Sequence, residues 1–251
     1  MSGNSRVHLV CRRGARRASV CARLYDQPID STPPHIGTLN EGSLHAALKD
    51  RYAEPGDEFE VPLDGFVIDI RRGDQLVEIQ TQSFGSMGRK FDCLLGEHRM
   101  LLVHPIAVET YLQRPGKKPR KSPKRGSMFS IFEELVSIPT LLDHPNLTLD
   151  IVLVSVTKLQ EVAPRARRGR SGFRTTDRQL REVLEVRRFR DTEDLAELLP
   201  AGLPSEFTTA DIATRAQVSR AIAQQMAFCY RALEVITQVG RTKAGIQYSL
   251  A

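Results

Sequence analysis

A β-hairpin pattern near the start of the chain most constrains what it can fold into. Residues 59–71 and 75–81 are rich in β-branched and aromatic side chains, and Arg72-Gly73-Asp74 between them is typical of a turn. A helix from Glu41 precedes the hairpin, with apolar residues at helical spacing. The elements expected after it are a helix and then a strand, at 87–97 and 100–105. This order predicts a compact α/β unit over residues 35–114.

Two acidic residues of the hairpin are placed to face one another. With a two-residue turn at Gly73-Asp74, Asp69 lies directly across from Glu78. Two carboxylates so placed repel unless a cation or a proton lies between them, and Mg²⁺ is a cation that prefers oxygen ligands. Glu41 is a candidate for a third ligand. The alternative is that both acids lie on the solvent-facing side of an amphipathic hairpin.

The residues from Asp64-Gly65-Phe66-Val67-Ile68-Asp69 to Glu78-Ile79-Gln80, in this element order, resemble the PD-(D/E)XK nuclease superfamily. The stretch from 44 to 105 also resembles a family of uncharacterised prokaryotic proteins, and this likeness extends over about residues 35–251. The resemblance implies a restriction-endonuclease-like domain that binds Mg²⁺ or Mn²⁺ and cleaves phosphodiester bonds. The implied metal ligands are Glu41, Asp69 or Asp64, and Glu78.

The sequence departs from the superfamily pattern at two points. Gln80 stands where lysine is usual, and glutamine supplies neither a base nor a charge. Lys90 on the next predicted helix is the candidate substitute, so Gln80 or Lys90 would position the attacking water. The metal aspartate also has two candidates, because Asp64 has the more usual spacing to Glu78 whereas Asp69 has the better hairpin register.

Positive charge is concentrated outside this unit. The chain has 36 Lys and Arg against 30 Asp and Glu, a net charge of +6, yet residues 35–113 contain 13 acids and 7 bases. The excess falls in basic runs at 1–25, 114–127 and 165–174. Such runs are typical of phosphate contacts, although basic runs rich in proline and glycine also serve as solvated linkers. The nucleic-acid contacts predicted from the second run are Lys117, Lys118, Arg120 and Lys121.

The C-terminal residues have the outline of a winged helix-turn-helix. Thr208 and Asp211 have the spacing of a capping box, and Ser219 caps a longer helix from Arg220. Two short strands around 240–245 would form a basic wing. The predicted DNA contacts are Ser219, Arg220, Gln224, Arg241 and Lys243. The alternative is a winged helix used for protein contacts or dimerisation.

The sequence thus divides into five expected segments. These are a basic mobile tail (1–34), a PD-(D/E)XK-like domain (35–114), a basic linker (115–127), an α/β connecting region (128–190) and a winged helix-turn-helix (191–251).

The predicted function is DNA binding with Mg²⁺-dependent phosphodiester cleavage. The leading alternative is a non-enzymatic DNA-binding or regulatory protein that keeps the fold without the chemistry, and Gln80 is its main support. No run reaches the roughly 18 apolar residues of a membrane span, and the basic N-terminus lacks the apolar core of a signal peptide. We therefore expect a cytoplasmic protein with nucleic acid and no membrane as partner, and a homodimer remains open.

Overall fold

The computed structural model describes residues 42–163, 172–243 and 245–251. The predicted tail over 1–34, Glu41 and most of the basic run 165–174 lie outside the described residues. The elements in chain order are α1 (Ser43–Tyr52), β1 (Glu58–Leu63), β2 (Phe66–Arg72), β3 (Gln75–Ile79), α2 (Gly88–Leu94), β4 (Arg99–Gln113), β5 (Arg120–Lys121), α3 (Phe132–Leu135), β6 (Leu147–Val162), β7 (Phe173–Phe189), α4 (Thr192–Ala196), α5 (Thr209–Ala216), α6 (Arg220–Ala232), β8 (Ile236–Thr242) and β9 (Gly245–Leu250).

A mixed sheet forms the centre of the molecule, in the order β1-β2-β3-β4-β6-β7, with β5 paired to β4. Strands β1, β2 and β3 are antiparallel neighbours. Strand β4 is parallel to β3, and β6 is parallel to β4. Strand β7 returns antiparallel to β6, and β8 and β9 form a separate two-stranded sheet. The expected fold class, a mixture of helices and strands around a central sheet, is confirmed.

The predicted strand over residues 59–71 is two strands. Asp64 and Gly65 turn the chain between β1 and β2, with φ angles of 49° and 79°, and Leu63 pairs directly with Phe66. A two-residue turn with positive φ at both positions favours Asp-Gly, because glycine adopts that conformation without a steric cost. The hairpin is therefore the second half of a three-stranded meander, and the expectation of one continuous strand was wrong.

The segments expected to be a linker and a connecting region contribute strands to the central sheet. Strand β4 runs on past Pro105 to Gln113, and β5 pairs with its far end through Tyr111 and Lys121. A strand end at Pro105 was expected because proline cannot donate a backbone hydrogen bond to a sheet. Strands β6 and β7 then widen the same sheet. The sequence boundaries near 114 and 127 therefore do not coincide with breaks in the sheet.

The two faces of the sheet have different coverings. Helix α1 covers one face, where Leu44 and Leu48 pack with Val77 and Val103. The larger core lies on the other face. It joins the sheet to α2, α3 and the C-terminal helices through residues that include Phe84, Phe91, Leu102, Phe132, Met226 and Tyr230. Across the described residues, none of the helices has the length and apolar character that crossing a membrane requires.

Local sequence signals account for the C-terminal helices. The Thr208 side chain accepts a hydrogen bond from the backbone of α5, and Asp211 completes the reciprocal capping box. Gln217 ends α5 in the left-handed conformation, and the Ser219 hydroxyl caps α6 by accepting from Ile222 N–H at 3.2 Å. The β8–β9 hairpin follows, and an isolated bridge joins Phe207 to Tyr248.

Candidate carboxylate and lysine site

Side chains replace backbone hydrogen bonds where β2 and β3 separate. The two strands pair only from Arg72 opposite Gln75 to Ile70 opposite Val77. Beyond that point Asp69 Oδ2 accepts a hydrogen bond from Ile79 N–H at 2.7 Å. On the other strand, Lys90 Nζ donates to the carbonyl oxygen of Val67 at 2.8 Å. An acid and a lysine therefore lie in the gap, and each satisfies a backbone group that lacks a strand partner.

Glu78 and Lys90 form a buried ion pair beside Asp69. Lys90, from α2, places Nζ 2.6 Å from Glu78 Oε1, and the two side chains are 9% and 11% exposed. Burial raises the pKa of Glu78, the Lys90 charge opposes that shift, and the neighbouring Asp69 carboxylate adds to it. Glu78 Oε2 is buried without a hydrogen-bond partner. The site thus holds two adjacent carboxylates, one cation and one unpartnered carboxylate oxygen.

Two histidines border this site. His45 of α1 lies with Nε2 3.2 Å from Asp69 Oδ2. His104 of β4 lies with Nδ1 2.7 Å from the Gln80 carbonyl oxygen, and burial lowers its pKa, so the neutral ring donates from Nδ1. Neither was predicted as a site residue. The one sequence signal was the position of His45, four residues after Glu41, which places the two on the same side of a helix.

A cavity of about 660 Å³ opens next to this site, at the carboxyl end of β3. Crevices at the carboxyl ends of parallel strands are common ligand sites in sheets flanked by helices. The wall combines the start of α1, the loop after β3, part of β4 and one segment of β7. Its polar lining includes one arginine, two acids, two histidines and two hydroxyl side chains: Arg178, Glu134, Asp177, His45, His104, Ser83 and Thr176.

The structure brings some of the predicted site residues together and separates others. Asp69, Glu78 and Lys90 meet, whereas Asp64 lies in the exposed turn between β1 and β2. Gln80 directly follows β3, and its side-chain amide donates to the Ser83 carbonyl oxygen at 2.8 Å. Helix α1 starts at Ser43, one described residue after the segment that contains Glu41.

The predicted nucleic-acid contacts lie in two other parts of the surface. Lys121 is paired with Glu109, and the exposed bases before it are Lys117, Lys118 and Arg120. In the C-terminal region the Arg220 guanidinium donates to Thr209 Oγ1 at 3.2 Å. The exposed side chains on α6 and the β8–β9 hairpin include Gln224, Arg241 and Lys243.

The donor set suits a hard divalent cation that keeps much of its water. Mg²⁺ is bound in many proteins by one or two carboxylates, with water and phosphate oxygens completing its octahedron. Asp69 and Glu78 supply two carboxylates, and Glu78 Oε2 is available. Among the described residues, no group of three or more His, Cys, Asp or Glu side chains is arranged to hold a metal ion. The residues that could hold such an ion are therefore the two carboxylates, Asp69 and Glu78.

Comparison with known proteins places the sheet and its site in one family. A family model described as "Domain of unknown function (DUF8091)" matches residues 42–190, the span from α1 to β7 that includes Asp69, Glu78 and Lys90. A protein of Treponema pallidum (strain Nichols), described as an uncharacterised protein, is 37% identical over 189 residues, which are 71% of this chain and 73% of that protein. No solved structure matches the chain. The expected kinship with an uncharacterised prokaryotic family is thus confirmed, and the chain belongs to the DUF8091 family.

Proposed function

We propose that this protein binds nucleic acid, DNA in the first place, and hydrolyses phosphodiester bonds with Mg²⁺ or Mn²⁺. The observation that carries the proposal is the gap between β2 and β3, in which Asp69, Glu78 and Lys90 meet. The order of helix, three antiparallel strands, helix and parallel strand supports it. In the PD-(D/E)XK superfamily that the sequence resembles, the metal-binding acids occupy corresponding strands.

Each residue of the gap has a role in the proposed reaction. Asp69 and Glu78 would hold the metal ion, which when bound would lower the pKa of the attacking water and stabilise charge on the phosphate. Lys90 supplies the positive charge that Gln80 cannot, because its ammonium group lies against Glu78. Its second contact, to Val67, fixes that ammonium group in place. His104 in turn holds the backbone at Gln80.

The C-terminal region is proposed to be a winged helix-turn-helix that binds DNA. Helices α5 and α6, the β8–β9 hairpin and the bridge at Phe207 follow the order of that motif. Gln224 is exposed on α6, and Arg241 and Lys243 are exposed on the hairpin. Glutamine can reach base edges, and arginine and lysine can contact phosphates. The Ser219 hydroxyl oxygen already accepts the hydrogen bond that caps α6. Its proposed contact with DNA would therefore use the hydroxyl as a donor.

A non-enzymatic DNA-binding protein is the second candidate. Two contacts favour it. The Gln80 amide is engaged by Ser83, and Lys90 occupies one oxygen of Glu78. In that case the ion pair is a structural remnant, and nucleic-acid binding remains without cleavage.

The deciding experiment is a cleavage assay with plasmid DNA and with labelled single-stranded DNA and RNA, in Mg²⁺, Mn²⁺ or EDTA. We expect metal-dependent cleavage by the unmodified protein and a loss of about 100-fold or more in Glu78→Gln and Asp69→Asn. Asp74→Asn is the matched control, because that acid is exposed and paired with Arg99. Asp64→Asn tests the alternative metal ligand and should leave cleavage intact.

The assay separates the two candidates. Cleavage that persists in Glu78→Gln would contradict the proposed site. Salt-sensitive binding without cleavage of any of these substrates would instead favour the non-enzymatic protein.

A further inference from the structure

We propose that Lys124, Lys158 and Arg178 form a binding surface for the backbone phosphates of nucleic acid. This basic triad lies beside the cavity and outside the runs from which nucleic-acid contacts were predicted, except for Lys124. It rests on the nucleic-acid binding part of the proposed function and does not depend on hydrolysis.

The triad places like charges against one another. Lys158 of β6 is directly opposite Arg178 of β7 in the antiparallel register, and like charges at such positions destabilise a sheet. Lys124 adds a third charge from the segment after β5. That segment runs along β4, because Ser122 N–H and Gly126 N–H donate to the carbonyl oxygens of Thr110 and Ala107, and β4 is the neighbour of β6. Partial burial lowers the pKa of Lys158, and the charges of Arg178 and Lys124 lower it further. The arrangement costs stability in the unliganded protein, and a bound anion would remove that cost.

The other cations of β7 have partners within the protein. Arg174 pairs with Glu161, Arg187 with Glu197 and Arg188 with Asp150, while Arg181 lies over the ring of Tyr111. Across 42–163, 172–243 and 245–251, no acidic side chain forms an ion pair with any member of the triad. The triad is therefore able to contact an external anion, and the oxygens of a phosphodiester backbone match three cations spread over two strands and a loop.

The position of the triad links it to the carboxylate site. Arg178 lines the cavity, and so does His45, which contacts Asp69. A strand whose phosphate lies on Arg178 can place an adjoining nucleoside in the cavity, since about 660 Å³ is within the range of small-molecule sites. The sequence alone does not indicate this surface, because its three residues are far apart along the chain and Lys158 follows a largely apolar run.

The test is fluorescence anisotropy with labelled single-stranded and duplex DNA over a series of salt concentrations. All measurements are made in EDTA, so that metal-dependent cleavage does not affect them. Lys158→Gln and Arg178→Gln should each weaken binding about tenfold and make the dependence of log K on log salt shallower by about 0.7 to 0.9. Arg187→Gln, on the same strand as Arg178, is the matched control and should change affinity far less because Glu197 already neutralises that arginine.

Thermal unfolding of the same variants provides an independent measurement. Removing one charge relieves repulsion, so Lys158→Gln should unfold at an equal or higher temperature while it binds less tightly. A lower unfolding temperature would show that the pair is structural and overturn the proposal. Affinity and salt slope equal to those of Arg187→Gln would also overturn it, but would leave the proposed function intact. Failure of the unmodified protein to bind any of the DNA probes would overturn both.

Discussion

Glu78 is unlike most buried acids in its hydrogen bonding. Buried polar atoms in folded proteins nearly always have a hydrogen-bond partner, yet one oxygen of Glu78 has none while the other contacts Lys90. Burial outweighs the lysine in setting the pKa of this carboxyl, which is raised. Departures of this kind from local energetic rules occur preferentially at functional sites. Glu78 is therefore the residue whose removal is most informative.

Replacing Lys90 with methionine should destabilise the protein strongly. Removing one partner leaves an uncompensated buried charge, which costs about 3–5 kcal/mol. Because Glu78 then has an even higher pKa in the folded state, the protein should be most stable below the ordinary value of 4.5 and lose stability as pH rises through the raised pKa. Urea unfolding at a series of pH values measures this.

The exposed pair of Arg99 and Asp74 provides the comparison for Lys90→Met. Its side chains are 63% and 76% exposed, and Arg99→Met should cost far less stability than Lys90→Met because solvent screens an exposed pair. If the two variants lost equal free energies of unfolding, the Glu78 carboxylate would have to be well solvated once Lys90 is replaced.

Helix α1 depends on a distant strand for the cap at its start. Gly42 occupies the N-cap position and has no side chain to offer. Asp177 of β7 supplies the missing acceptor, since its carboxylate accepts from Ser43 N–H at 3.1 Å and from the Ser43 hydroxyl at 2.5 Å. This contact holds the beginning of α1, and with it one wall of the cavity, against the ribbon formed by β6 and β7.

Asp177→Ala should therefore destabilise the protein by about 1 kcal/mol, the usual cost of losing an N-cap. Burial raises the pKa of Asp177, but the hydrogen bonds from Ser43 and from the Arg178 backbone together lower it more, so the net direction is down. The stabilisation should be present above the ordinary value of 3.8 and vanish as pH falls through the lowered pKa.

Urea unfolding of the unmodified protein and of Asp177→Ala, compared at neutral and at acid pH, checks this cap. Ser43→Ala keeps the backbone N–H and should lose only part of the effect. A constant difference between the two proteins at every pH would contradict the assignment.

Local signals predicted some elements and distant pairings determined the rest. The hairpin turn at Gly73-Asp74 and the caps at Thr208 and Ser219 are properties of a few adjacent residues, and the structure has them where the sequence placed them. The pairing of β5 with β4 and the capping of α1 by Asp177 join segments with no shared pattern. Strand β7, from Phe173 to Phe189, carries little strand pattern in its sequence because many of its positions are exposed and charged rather than apolar.

The C-terminal helices belong to the same core as the central sheet. Tyr230 of α6 is fully buried, its hydroxyl donates to the Leu195 carbonyl oxygen at 3.1 Å, and its ring lies 5.2 Å from that of Phe132. The division of the sequence into segments is visible in charge and pattern, but it does not reveal this shared core. Apolar residues that pack across segments carry no sequence signal of their own.

Calorimetry should accordingly show one unfolding transition for the whole molecule. Tyr230→Ala should lower stability by about 3–5 kcal/mol, because it leaves a large cavity in the core, and should shift that transition as a unit. Phe228→Ala, on the exposed side of the same helix with 49% of its side chain accessible, should change stability by about 0.5 kcal/mol or less. A separate low-temperature transition in the unmodified protein would contradict the shared core.

The contact between Ser43 and Asp177 also has a consequence during synthesis of the protein. The two residues are 134 positions apart, so at roughly 5–20 residues per second the ribosome needs about 7 to 27 s to make the second after the first. Throughout that interval α1 lacks its cap, β6 lacks β7, and Arg178 has not yet been made. A nascent chain that already contains Asp69 and Glu78 thus still has an incomplete cavity without Arg178, so translation itself delays the proposed activity.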